Sequence, residues 1–232
     1  MTKYSPASVE VKDMFGTIAP KYDLTNTVLS FGMHHLWKQR LVQSLPESHD
    51  KRVLDLCTGT GDLLPLLSNR FGSVVGADFC LEMLEVGRKK FEVLGTPFEL
   101  VQADALNLPF EDTSFDIVSV SFGVRNFKDL NKGLSEILRV LRPGGSILIL
   151  EFGQPNGLLF GPLYRFYSKY VIPLIGGVLT GNRYAYKYLP ETSKNFPAGE
   201  KFLSTLKQIG FFNPTSTKLT FGIAQIYKAS KP

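Results

Sequence analysis

Short apolar runs alternate with longer stretches of mixed polarity through the middle of the chain, and the alternation stops at Phe152. The runs at residues 52–57, 73–78, 98–103, 115–121 and 146–152 read as strands. The stretches over residues 62–69, 81–94 and 130–141 read as helices. Such alternation predicts a parallel sheet covered by helices on both faces, with right-handed crossovers. Ahead of this unit, residues 8–45 read as helical, broken near residues 16–20 and at Phe31-Gly32. Arg142-Pro-Gly-Gly145 reads as a turn into the fifth strand. Behind it, residues 154–190 are rich in Gly, Pro, Tyr and Phe, and a helix returns over residues 199–209. Two last runs, residues 213–219 and 223–229, predict an antiparallel hairpin at the sheet edge. Residues 154–197 therefore read as an insertion before the last helix and strand pair, where a substrate lid is expected.

The first strand runs straight into Cys57-Thr-Gly-Thr-Gly-Asp62. Gly59 and Gly61 let the backbone turn sharply and a ligand come close. The helix that follows points free N–H groups at that ligand. The second strand ends in Asp78, well placed to accept from two ribose hydroxyls. A dinucleotide fingerprint would need a third glycine, and the chain has Leu64 there. No Gly-Lys-Ser/Thr phosphate loop occurs. A glycine turn after strand one, an acid ending strand two and Asp104 after strand three resemble the set found in S-adenosylmethionine-dependent methyltransferases.

Each candidate residue has a plainer reading. Asp55, inside strand one, either braces the turn, faces an amino group of the ligand, or is a core carboxylate satisfied by loop N–H groups. Thr60 touches the ligand or is a turn residue. Asp104 accepts from an exocyclic amine, with Ala105 leaving room for the ring, or it is an Asx-turn aspartate. Ser121, Arg125 and Asn126 end strand four, where open α/β sheets bind ligands. The plainer reading of Arg125 and Asn126 is a helix start with a surface ion pair. His34, and Tyr22-Asp23 upstream, are open between chemistry and packing.

Composition narrows the class. The chain has 232 residues, 44% hydrophobic and 20% charged, which fits one folded α/β domain and argues against disorder. Cys57 and Cys80 make no disulfide framework, and no Cys/His spacing suits zinc, so no metal is expected. The N-terminus has no apolar segment of a secretory signal, and a cytoplasmic location is expected. The net charge of +5 is uneven: residues 154–232 carry 10 Lys/Arg and 2 Asp/Glu, while residues 1–153 carry 16 and 19. Eight aromatics between Phe160 and Tyr188 are interleaved with Arg165, Lys169, Arg183 and Lys187. That mixture suits a membrane interface. The alternatives are a lid packed on the core and a nucleic-acid surface, and no RNA-binding motif supports the latter.

Two long strings carry a family resemblance. Tyr22-Asp-Leu-Thr-Asn-Thr-Val-Leu-Ser-Phe-Gly-Met-His-His-Leu-Trp37 and Arg139-Val-Leu-Arg-Pro-Gly-Gly-Ser-Ile-Leu-Ile-Leu-Glu-Phe152 resemble the signatures of the ubiquinone/menaquinone biosynthesis C-methyltransferases. Ser121-Phe-Gly-Val-Arg-Asn126 and Tyr186-Lys-Tyr-Leu-Pro-Glu-Thr192 also look like that family. Thr25 and Gly153 depart from it, standing where Met and Ser are usual, and are expected to tune the quinone pocket.

The resemblance implies a class I, Rossmann-like methyltransferase fold with a mostly parallel seven-stranded sheet. It implies four parts of one domain: a helical cover (1–50), a donor-binding core (51–153), a lid (154–197) and a closing helix and strand pair (198–232). It implies S-adenosylmethionine as co-substrate, held by Thr60, Asp78, Asp104, Ala105 and Ser121, with Asp55, Gly59 and Gly61 shaping the turn. The acceptor would be a polyprenyl quinol, activated by Arg125 and Asn126 with His34 or a water taking the proton. Transient contact with the inner face of the membrane follows from the tail, and a homodimer is left open. The rival readings are methylation of another small phenol or a sterol, and a donor-binding subunit without catalysis.

Overall fold

A computed structural model describes residues 8–155 and 160–232. Three helices lead: α1 (Ser8–Ile18), α2 (Tyr22–Ser30) and α3 (Met33–Gln43). The alternating unit follows as β1 (Ser48–Leu56), α4 (Leu64–Ser68), β2 (Phe71–Asp78), α5 (Leu81–Leu94), β3 (Glu99–Gln102), β4 (Phe115–Ser121), α6 (Leu130–Val140) and β5 (Leu141–Phe152). The rest is α7 (Phe160–Phe166), a π turn (Tyr167–Val171), α8 (Ile172–Thr180), α9 (Arg183–Asn195), α10 (Glu200–Ile209), β6 (Phe212–Leu219) and β7 (Ala224–Ser230).

The seven strands stand in the order β3-β2-β1-β4-β5-β7-β6. The first five are parallel; β7 runs antiparallel to β5 and β6 antiparallel to β7. The chain steps outward from β1 in one direction to β2 and β3, then returns to the other side of β1 for β4 and β5. That reversal opens a crevice at the carboxyl ends of β1 and β4.

Neighbouring residues of one strand face opposite layers. Leu54 and Leu56 of β1 pack with Leu134 and Ile137 of α6 and Phe202 of α10. Val53 packs on the other face with Trp37 and Leu41 of α3 and Phe91 of α5. A third cluster joins the N-terminal helices to the insertion: Leu29 of α2 meets Ile172 of α8 and Tyr186 of α9. Tyr167 ties them further by donating its hydroxyl to the Leu29 carbonyl at 2.8 Å.

Several bounds differ from the sequence reading for physical reasons. The first helix runs through Gly16, and the break falls at the 3-10 turn Ala19–Lys21, which contains Pro20. Helix α4 is shorter than expected, because the glycine turn continues to Leu63 and Pro65 opens the helix. Arg142-Pro-Gly-Gly145 does not precede β5 as a turn; it lies within it as a bulge. Phe115 pairs with Leu141 and Ile117 with Ser146, so the extra residues loop out, with Gly144 at φ 73°. The insertion forms helices α7 to α9, with Pro190 inside α9.

Candidate active site

The site begins where β1 and β4 end. Cys57 and Phe122, the residues just past these strands, both have φ 58°, left-handed backbone that L-residues seldom adopt. Such conformations persist where the surrounding structure over-determines them, often at ligand sites. Gly59 (φ 59°) and Gly61 (φ 80°) continue the reversal.

Asp55 is 2% exposed and accepts from the hydroxyls of Thr58 and Ser119, each at 2.7 Å. Burial raises its carboxyl to about 6 despite these bonds. It thus braces the turn, through hydroxyls and not loop N–H groups. Asp78 accepts from the Gly59 N–H at 2.8 Å and from the Cys80 N–H at 2.9 Å. Its carboxyl is also raised by burial.

Two cavities flank the turn. One, of about 280 Å³, is lined by Asp78, Asp104, Ala105, Met83 and Asn126. The other, of about 480 Å³, is lined by Asp55, Thr60, His34, Trp37, Arg125 and Phe152. They share Tyr22, Cys57, Gly59, Ser121 and Phe122 as lining. Ser121 Oγ is buried there without a hydrogen-bond partner. A donor with a nucleoside at one end and a charged methionine at the other fits this junction. The nucleoside would face Asp78 and Asp104, and the methionine end would face the turn. Asp104 Oδ1 already accepts from the Leu106 N–H at 2.9 Å, the Asx-turn geometry weighed from sequence.

Arg125 does not stand as a free cation at the rim. Its side chain is 3% exposed and its Nη1 lies 2.7 Å from Oε1 of Glu151, which is 0% exposed. Glu151 also accepts from the backbone N–H groups of Arg125 and Phe152. The guanidinium lies 5.2 Å from the Phe152 ring centroid, and its Nε is buried without a partner. Asn126, its neighbour in sequence, lines the smaller cavity and accepts from the Tyr188 hydroxyl at 3.1 Å. The structure therefore does not bring Arg125 and Asn126 into one chamber.

His34 lines the larger cavity and is 5% exposed. Its Nδ1 is 2.7 Å from the Ser30 hydroxyl, and its Nε2 has no partner. Burial, followed by the Lys38 ammonium and His35, lowers its pKa to about 4. Its folded value lies below the ordinary value of 6.5, so its contribution is present above pH 6.5 and lost as pH falls toward 4. Over that window the melting temperature of wild type is expected to fall more than that of His34→Gln. Parallel melting curves for the two proteins would contradict the buried neutral imidazole.

Sequence reasoning missed a chain of charges over the turn. Asp23 of α2 accepts from Thr60 Oγ1 at 2.5 Å and pairs with Lys90 at 3.1 Å. Lys90 also pairs with Asp62 at 2.8 Å, and Lys38 lies 3.5 Å from Asp62. Burial alone would raise Asp62, but Lys38 and Lys90 more than offset it and hold the carboxyl at about 2. Glu151 was missed too, though an acid inside the apolar run Ile147–Phe152 signals a buried partner. Gly61 lines neither cavity; a Cβ there would fall 2.6 Å from the Phe91 ring. Thr25 and Gly153 also lie outside both linings and do not tune the pocket directly. A Cβ on Gly153 would sit 2.4 Å from the Gly222 carbonyl, which explains a glycine here.

The ubiE/COQ5 methyltransferase family model matches residues 2–231. A ubiquinone/menaquinone biosynthesis C-methyltransferase UbiE of Bdellovibrio bacteriovorus is 44% identical over 99% of both chains. A demethylmenaquinone methyltransferase of Thermus thermophilus is 46% identical over 94% of this chain and 100% of its own. Among solved structures, a SAM-dependent methyltransferase, possible histamine N-methyltransferase, of Thermotoga maritima superposes with a TM-score of 0.68 at 18% identity, covering 95% of this chain and 99% of that one.

Proposed function

The chain belongs to the ubiE/COQ5 methyltransferase family, and from that premise we propose that the larger cavity takes a quinol ring and the smaller one the adenosine of S-adenosylmethionine. The protein is an S-adenosylmethionine-dependent C-methyltransferase of quinone biosynthesis. The observation that carries the site assignment is the meeting of the two cavities at Gly59 and Ser121. Each reactant has its own chamber, and the reacting atoms have one place to meet.

The co-substrate supplies a methyl group on a sulfonium, an electrophile that needs no metal. This chain's residues supply position and proton handling. Asp78 holds the ribose, Asp104 and Ala105 receive the adenine, Asp55, Gly59, Thr60 and Gly61 form or brace the turn beneath the methionine, and Ser121 lines the junction of the two cavities. On the acceptor side a phenolic proton must leave before a ring carbon becomes nucleophilic. His34 Nε2, neutral and unpartnered, accepts a hydrogen bond from that hydroxyl, and the proton passes on to water, because an imidazole held at about 4 keeps a proton poorly. Arg125 faces the oxygen left behind; because Glu151 matches its charge, it acts as a directed N–H donor. Asn126, fixed by Tyr188, serves the donor side. Aligning carbon, methyl and sulfur contributes much of the remainder, since proximity supplies roughly 7–11 kcal/mol.

In this reading the described residues of 1–50 cover both chambers, 51–153 bind the donor, the described residues of 154–197 close over the quinol and 198–232 complete the sheet; residues 1–7 and 156–159 of the cover and the lid lie outside the described residues. A polyprenyl tail keeps the acceptor in the bilayer. The enzyme works from the cytoplasm, touching the inner face of the membrane transiently through residues 154–197. Among the described residues no helix is long and apolar enough to cross it.

Asp78→Ala is expected to weaken S-adenosylmethionine binding, since charged hydrogen bonds contribute about 1.5–3 kcal/mol each. Calorimetry on the folded variant checks this, and unchanged affinity would move the ribose elsewhere. Turnover of demethylmenaquinol and of a methoxy-polyprenyl-benzoquinol, side by side, assigns the head group.

A further inference from the structure

We propose that α2 and the α7–α8 rod together form a surface that lies on an anionic bilayer, with the mouth of the quinol cavity inside it. The inference rests on the quinol reading and names the partner of that same site. Phe31 and Leu163 line the larger cavity and are also largely exposed, at 81% and 63%, so the cavity opens between them. Phe31 ends α2 in left-handed backbone, φ 51°, with its ring 6.1 Å from that of Tyr167.

Two apolar stripes run outward from this mouth. Along α7, the π turn and α8, Leu163, Phe166, Tyr170, Leu174 and Val178 recur every three or four residues, each more than half exposed. Leu24 and Val28 precede Phe31 at the same spacing on α2, at 61% and 41% exposure. The two elements adjoin through Leu29 and Ile172 beneath and through Phe31 and Tyr167 at the mouth, so the stripes run along neighbouring elements. Single exposed apolar side chains are ordinary, whereas a contiguous patch marks an interaction surface.

Charge selects the occupant. No acid occurs between Glu151 and Glu191, while Arg165, Lys169, Arg183 and Lys187 are all exposed. The acid on α2, Asp23, is engaged by Thr60 and Lys90. Cations and amphipathic rings beside an apolar stripe match the headgroup layer of an anionic bilayer. A second copy of the chain would set this cationic segment against itself in a two-fold contact. On a bilayer, a tailed quinol reaches the cavity without crossing water.

The test compares wild type with Phe166→Ser/Leu174→Ser/Val178→Ser and with Leu24→Ser/Val28→Ser; none of these five residues lines either cavity. Co-sedimentation with anionic vesicles is expected to fall about tenfold or more in both variants. Wild type should bind neutral vesicles less than anionic ones. Both variants should methylate a polyprenyl quinol in vesicles more slowly, yet turn over a tailless quinol in buffer at the wild-type rate. Unchanged vesicle binding in either variant overturns the two-element surface. So does a wild-type dimer that the variants split, which would give the face to a second copy. Failure of wild type to methylate either quinol would overturn the quinol reading instead, whatever the vesicles show.

Discussion

Replacing Glu151 with alanine is expected to lower stability by about 3–5 kcal/mol, the usual effect of breaking a buried ion pair from one side. The carboxylate is fully buried and accepts from the Arg125 guanidinium and two backbone N–H groups. Its removal takes this acceptor from two backbone N–H groups and leaves the guanidinium only the Phe122 carbonyl. Arg125→Ala should have an effect of the same size, because it strands the carboxylate. Arg125→Met combined with Glu151→Leu should recover most of that loss, since apolar side chains of similar volume often replace such pairs without penalty. Turnover separates the two roles. The double variant should bind S-adenosylmethionine as wild type does and methylate far more slowly, having lost the donor that faces the acceptor's oxygen. Urea unfolding checks the first half and steady-state kinetics the second. A double variant with wild-type turnover would make the pair purely structural.

Gly61→Ala is the other substitution expected to be severe. Gly61 has φ 80°, which adds about 1–2 kcal/mol for any L-residue. The added Cβ would also fall 2.6 Å from Phe91 Cε2 and 3.1 Å from Leu64 Cδ1, both buried, and overpacking of this kind typically adds about 1–3 kcal/mol. Gly95→Ala separates the two contributions. Gly95 has φ 66°, and a Cβ there would meet nothing within 4 Å, so only the backbone contribution should appear. Thermal melts of both variants should place Gly61→Ala well below Gly95→Ala. Equal melting temperatures would mean that Phe91 yields freely and that the turn is looser than its packing implies.

Much of the fold was legible because local pattern and tertiary role agree. Helix α5 and strand β4 fall at the residues their apolar patterns predict, and the parallel pairing of the first five strands follows from their alternation with helices. The bulge at Arg142–Gly145 was not legible as such, because Pro-Gly-Gly signals a turn whether or not the strand resumes in register across it. The insertion's helices were obscured by the glycines and prolines that let them pack. Gly176 of α8 leaves space for the Tyr186 ring of α9, where a Cβ would lie 2.2 Å away. At the candidate site, Asp78 and Ser121 were visible as strand-end residues. The clamp on the turn was not, because Asp23 meets Thr60 and Lys90 across 37 and 67 residues of sequence. Glu151 lay in plain view, but its partner sits on the neighbouring strand's end and only the sheet order brings them together.

Helix α2 is fastened differently along its two sides. Toward the glycine turn it is held by the Asp23 carboxylate, through Thr60 and Lys90. Toward α8 it is held by Leu29 against Ile172 and Tyr186. Ionic strength weakens the first attachment and leaves the second almost untouched. Cooling weakens the second, whose strength comes from apolar hydration, far more than the first. Helix α2, whose Tyr22 lines both cavities, can therefore be loosened from either side independently, by salt at the glycine turn and by cold at α8.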